Sequence, residues 1–89
     1  MAQDPINKLS QEAEQAAVDA MLDRANMALQ NNEFAEAQKN LFGAMEIAKD
    51  STIYAQTKVV EANFFTHTGQ LDQAQKSIDR LKQIISKDS

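Results

Sequence analysis

The feature that most constrains the fold is a pattern that occurs twice, 37 residues apart. The first copy spans residues 25–39 and reads A-N-M-A-L-Q-N-N-E-F-A-E-A-Q-K, and the second spans residues 62–76 and reads A-N-F-F-T-H-T-G-Q-L-D-Q-A-Q-K. Both copies begin with Ala-Asn and end with Ala-Gln-Lys, and a large apolar residue, Phe34 or Leu71, precedes the last alanine by three positions. A repeat of this length is typical of stacked supersecondary units.

The composition limits the chain to one small helical domain. With 89 residues there is room for a modest core, and only two Gly and one Pro interrupt helices. No window approaches 18 consecutive apolar residues, so we expect no membrane association and a cytoplasmic protein. The net charge is -4 and the basic residues are scattered. Nucleic acid is therefore not expected as a partner, because a basic patch is needed to neutralise phosphates.

Helical periodicity and chain breakers predict an all-α fold of four helices, over residues 10–30, 33–49, 52–67 and 70–85. We expect a flexible lead-in over residues 1–9, a single domain over residues 10–86 and a polar tail over residues 87–89. Asn32 is expected to cap the second helix, and the run Asp50-Ser51-Thr52 is expected to end it and to cap the third. Gly69 can supply the positive φ that ends the third helix.

The apolar residues of the third helix point almost all round its axis, which predicts a central helix with several neighbours. The fourth helix is predicted to bury one stripe, formed by Leu71, Ala74, Ile78, Leu81 and Ile85. Phe42 and Ile47 lie beside the packed face of the second helix, and Ile84 lies beside that of the fourth. With Leu81, these residues form a predicted surface for a homodimer or a second partner.

The pattern resembles the tetratricopeptide repeat, a helix-turn-helix unit of about 34 residues. The residues that carry the likeness are small residues late in the first helix of each pair, alanines at the helix crossing, and larger apolar residues one turn later: Ala25, Ala62, Ala37, Ala74, Leu41 and Ile78. The aromatic residue usual early in the first helix and the proline usual between repeats are missing. A plain four-helix bundle is the alternative architecture.

The resemblance implies a concave groove lined by the first helix of each pair, where asparagine often hydrogen-bonds the backbone of an extended peptide. The residues that it places in this groove are Asp19, Leu22, Asn26, Gln56, Val59 and Asn63. Leu22 and Val59 stand where the family's carboxylate clamp needs a base, so a clamp of that type is not supported. The competing interpretation is that both asparagines are ordinary polar surface residues.

We expect neither catalysis nor a cofactor or metal. The chain has one His, no Cys and no glycine-rich phosphate loop. His67 is expected to be exposed at a helix end, and the carboxylates of the first helix have no His beside them to complete a metal site.

Three functions follow from these observations. The leading interpretation is a small adaptor or chaperone-like module that binds a peptide or an amphipathic helix of a partner protein. The second is a self-associating structural module that forms a homodimer. The third is an acidic inhibitor that blocks a basic surface.

Overall fold

The computed structural model describes the backbone of residues 5–88 and the side chains of residues 10–87. It contains four α-helices: α1 (Pro5–Gln30), α2 (Phe34–Ile47), α3 (Ser51–His67) and α4 (Leu71–Asp88). The prediction of an all-α fold with four helices is confirmed, and the bounds of the two central helices lie within two residues of those expected.

The outer ends of the domain differ from the prediction. α1 begins at Pro5 rather than at Ser10, so that only residues 1–4 of the expected lead-in lie outside the described chain. Proline is well suited to a first helical position because its missing N–H has no partner there anyway. α4 continues to Asp88, past the expected end at Ile85, because no Gly or Pro follows to stop it.

The turns within the two hairpins have the same hydrogen bonds. Asn32 (φ 60°) and Gly69 (φ 77°) both adopt the left-handed conformation. In the first turn the N–H groups of Asn32 and Glu33 donate to the carbonyls of Leu29 and Ala28, at 3.1 and 2.8 Å.

In the second turn the N–H groups of Gly69 and Gln70 donate to Thr66 and Phe65, at 3.2 and 2.8 Å. Both turns are therefore Schellman motifs.

The prediction that Asn32 caps α2 is wrong: Glu33 occupies the N-cap position without a side-chain hydrogen bond. Asn32 instead supplies the left-handed residue that ends α1.

The junction between the hairpins is held by two carboxylates. Asp50 accepts hydrogen bonds from the N–H groups of Thr52 (2.9 Å) and Ile53 (3.2 Å), so it is the residue of the predicted capping run that forms the N-cap of α3. Glu14 of α1 accepts from the backbone N–H groups of Lys49 (2.7 Å) and Asp50 (2.9 Å). These bonds tie the linker to the first helix.

The helices form an open stack of two hairpins. α1 packs on α2 and α3 packs on α4, while α3 also contacts α1 and α2. Among the described helices α4 contacts α3 alone, so α1 and α4 are not neighbours as they would be in a closed bundle. The predicted central position of α3 is confirmed.

The core lies between α1, α2 and α3. Its largest fully buried side chains are Leu41, Val18 and Thr57. Ala37 and Ala74, expected at close helix crossings, are both buried. Small residues at these positions allow the helices of each hairpin to approach closely.

Candidate protein-binding surfaces

The first candidate surface is a depression between α1 and α3. It has a volume of about 310 Å³ and is lined by Asn26, Leu29, Gln30, Asn63 and His67. The structure thus brings together the two asparagines that the sequence repeat relates. Asn63 is exposed and Asn26 is half-buried, so both carboxamides border solvent.

The carboxamides of Asn26 and Asn63 form no hydrogen bond with other residues in the described part of the chain. The ring of His67, one turn beyond Asn63, lies with Nδ1 3.0 Å from the Asn63 carbonyl oxygen and is exposed, as expected for a histidine at a helix end. Each carboxamide retains donors and an acceptor that a ligand could use.

At the other end of the same face, three polar side chains are connected by hydrogen bonds. Gln15 Nε2 donates to Asp19 Oδ1 at 2.7 Å and to Gln56 Oε1 at 2.8 Å, which joins α1 to α3. Asp19 and Gln56 were expected in the groove, whereas Gln15 was missed. Its position three helical turns before Asn26 was the signal that could have identified it.

Leu22 is not a groove residue. Its side chain is 6% exposed and belongs to the core, because Leu22 shares with Asn26 and Leu29 the side of α1 that faces α3. Its repeat counterpart Val59 is 47% exposed. On the face between α1 and α3, the buried Leu22 therefore lies between two sets of polar residues, one at each end.

Among the residues predicted for a second surface, the two on α2 are exposed, whereas the two on α4 are not. Phe42 and Ile47 are exposed, and Phe42 borders an open depression with Met45, Glu46 and Glu61. Leu81 is half-buried. Ile84 is buried, since it lies two helical turns after Ser77 on the side of α4 that packs on α3.

The exposed apolar residues of α4 are instead Leu71, Ile78 and Ile85, which the sequence pattern assigned to the inner stripe. The apolar arc of this helix is wider than the contact with α3. α4 is therefore rotated about its axis relative to the prediction. As a result Ile84 is buried against α3, while Ile78 and Ile85 are exposed.

A buried polar cluster joins α3 to α4. Glu61 Oε1 accepts hydrogen bonds from Ser77 Oγ (2.8 Å) and Lys58 Nζ (3.0 Å), and Lys58 Nζ lies 5.2 Å from the centre of the Tyr54 ring. Every buried side-chain nitrogen or oxygen among the described residues has a hydrogen-bond partner. The cluster is thus fully satisfied, as expected of a structural contact.

In the described part of the chain, no group of His, Asp and Glu side chains is arranged to hold a metal ion. None of the described helices combines the length and apolar character needed to cross a membrane. Comparisons with protein-family models, curated proteins and solved structures find no match to this chain.

Proposed function

We propose that the protein is a non-catalytic, cytoplasmic interaction module, an adaptor or chaperone-like protein of the tetratricopeptide type. It binds an extended segment of a partner protein along the face shared by α1 and α3. The observation that supports this most directly is the convergence of Asn26 and Asn63 on one open depression.

The two carboxamides are suited to a peptide backbone. Each offers both a donor and an acceptor, and neither is used by another side chain among the described residues. Extended peptides gain affinity through main-chain hydrogen bonds of this kind, and side-chain pockets add specificity. Leu29 supplies an apolar floor beside the two amides.

The length and charge of the face define the ligand further. From Gln15 to Asn26 the helix rises about 16 Å, which matches about five residues of extended chain. The polar groups described above are amides, the imidazole of His67 and the carboxylate of Asp19. We therefore expect an internal segment of the partner with neutral or basic side chains, rather than a free carboxyl terminus.

A selection from a random peptide library on the immobilised protein tests this function. Selected peptides should bind the wild type, and the double substitution Asn26→Ala, Asn63→Ala should weaken their binding about thirtyfold, since two lost hydrogen bonds at about 1 kcal/mol each cost about 2 kcal/mol in total. Gln38→Ala, an exposed amide on α2, is the matched control and should leave affinity unchanged. Equal affinity for the double variant, or no enriched peptide, would refute the proposal.

A further inference from the structure

The two hairpins are equivalent in detail at an offset of 37 residues. Besides the paired turns, the N–H groups of Ala37 and Ala74 both donate at 3.0 Å to the carbonyl four residues earlier. Asn40 and Ser77 are both buried, and their side chains donate to the carbonyls of Glu36 and Gln73, at 2.9 and 3.2 Å. A surface of one hairpin can therefore be compared residue by residue with the same surface of the other.

The comparison reveals an uncovered face on the second hairpin. This face consists of four exposed apolar residues, three on α4 and one, Val59, at the adjoining side of α3. We call it the α4 end face; its residues are Val59, Leu71, Ile78 and Ile85. Their counterparts are Leu22, Phe34, Leu41 and Ala48, which all belong to or pack against the core. Leu41 is 0% exposed and Ile78 is 37% exposed, although they occupy the same repeat position. The difference arises because α3 covers the first hairpin, and no described helix covers the second.

A second uncovered face lies on α1. On α3, four of the buried residues are Ile53, Thr57, Val60 and Phe64. Their counterparts on α1 are Ala16, Ala20, Asp23 and Met27, which we call the α1 end face, and all four are exposed. Thr57 is 0% exposed, so its counterpart Ala20 marks the centre of this face.

We propose that the α4 end face of one copy binds the α1 end face of a second copy, head to tail. The junction inside the chain shows what covers such a face: α3 lies against α2, and α1 is the repeat counterpart of α3. The proposal rests on this internal equivalence and not on the peptide-binding function. Because the contact is heterologous, it leaves both outer ends free and allows more than two copies to stack.

At one pair of positions on the two end faces the residue sizes are complementary. Inside the chain a small residue at the end of α2, the C-cap Ala48, and a large residue of α3, Ile53, lie on either side of the linker and are both buried. At the proposed contact the sizes are exchanged, since the counterparts are Ile85 on α4 and Ala16 on α1. The combined size of the two side chains at this pair of positions is therefore kept, as close packing favours.

The charges on the two faces also match. Asp79 and Lys82 flank Ile78 on α4, and Asp23 and Arg24 lie together on α1, all four of them exposed. Asp19 is also exposed beside Ala20, so each face carries residues of both charge signs. Pairing of opposite charges across the contact would favour one register of stacking over its alternatives.

Sedimentation velocity over a wide range of concentrations tests the proposal. The wild-type mass should rise with concentration beyond that of a dimer. Ile78→Asp blocks the α4 end face and Ala20→Asp blocks the α1 end face, so each variant alone should remain monomeric. An equimolar mixture of the two should form a heterodimer and nothing larger, because each variant keeps the face that the other has lost.

Matched controls separate the contact from general effects of added charge. Phe42→Asp and Ala35→Asp change exposed residues outside both end faces and should assemble like the wild type. Circular dichroism verifies the fold of every variant, and Ile85→Asp with Ala16→Asp provides a second complementary pair. A wild type that is monomeric throughout, an Ala20→Asp variant that still assembles, or a mixture without heterodimer would each overturn the proposal.

Discussion

Ser77 of α4 donates a hydrogen bond of 2.8 Å to the buried carboxylate of Glu61 on α3. This bond lies in the contact between α3 and α4, the only helix pair through which α4 joins the rest of the described structure. Glu61 retains Lys58 as its second partner, at 3.0 Å. The docking of α4 therefore depends on a polar contact as well as on the burial of Ala74 and Ile84.

Replacement of Ser77 by Ala should reduce the free energy of unfolding by about 1 to 3 kcal/mol, because a buried carboxylate loses one of its two donors. Urea unfolding followed by circular dichroism measures the change. Thr66→Ala is the control, since its exposed hydroxyl bonds only to the carbonyl of Ala62 in its own helix. Equal stability of Ser77→Ala and the wild type would show that the contact contributes nothing to docking.

Phe64→Ala should destabilise the protein by about 2 to 4 kcal/mol, because it removes a buried ring from the helix that contacts all the others. Phe64 is 5% exposed and lies edge-on to Phe65, with 5.5 Å between the ring centroids. Phe42→Ala, which truncates an exposed ring, should cost less than about 1 kcal/mol. Similar losses for the two variants would contradict the central role of α3.

Enlargement of Ala37 to Leu should destabilise the first hairpin by about 1 to 3 kcal/mol, since its fully buried position leaves no space for three more carbon atoms. The exposed Ala35→Leu provides the matched control and should change stability by less than about 0.5 kcal/mol. Thermal unfolding distinguishes the two variants. An undisturbed midpoint for Ala37→Leu would mean that α1 and α2 are not closely packed there.

Gly69→Ala should cost about 1 kcal/mol through backbone strain alone, because left-handed φ values are unfavourable for residues with a Cβ. No atom lies within 4 Å of the position that an added Cβ would occupy, so a steric clash does not contribute. Gly69→Asn should cost less, as Asn32 already tolerates this conformation in the equivalent turn. Chemical denaturation of the two variants compares them, and equal losses would exclude a backbone origin.

Local features of the sequence determined the helices and their order. Asp50 caps α3 through side-chain hydrogen bonds, and Gly69 ends α3 by adopting a left-handed backbone conformation. Both effects depend only on residues that are close in the sequence. The resemblance to the repeat family, applied at the offset of 37 residues, also predicted that Ala37 and Ala74 would lie at close helix crossings and that Asn26 and Asn63 would share one face. Equivalent positions in stacked units face the same direction, so the sequence alone was sufficient for these features.

Only the tertiary structure decided which apolar residues are covered. Leu22 and Val59 occupy the same repeat position, and one is buried because α3 lies over it while the other has no such neighbour. Likewise Ile84 is buried and Ile78 is exposed because the apolar arc of α4 is wider than its contact with α3. Burial depends on the number and direction of neighbouring helices, and these are absent from the periodicity of any single helix.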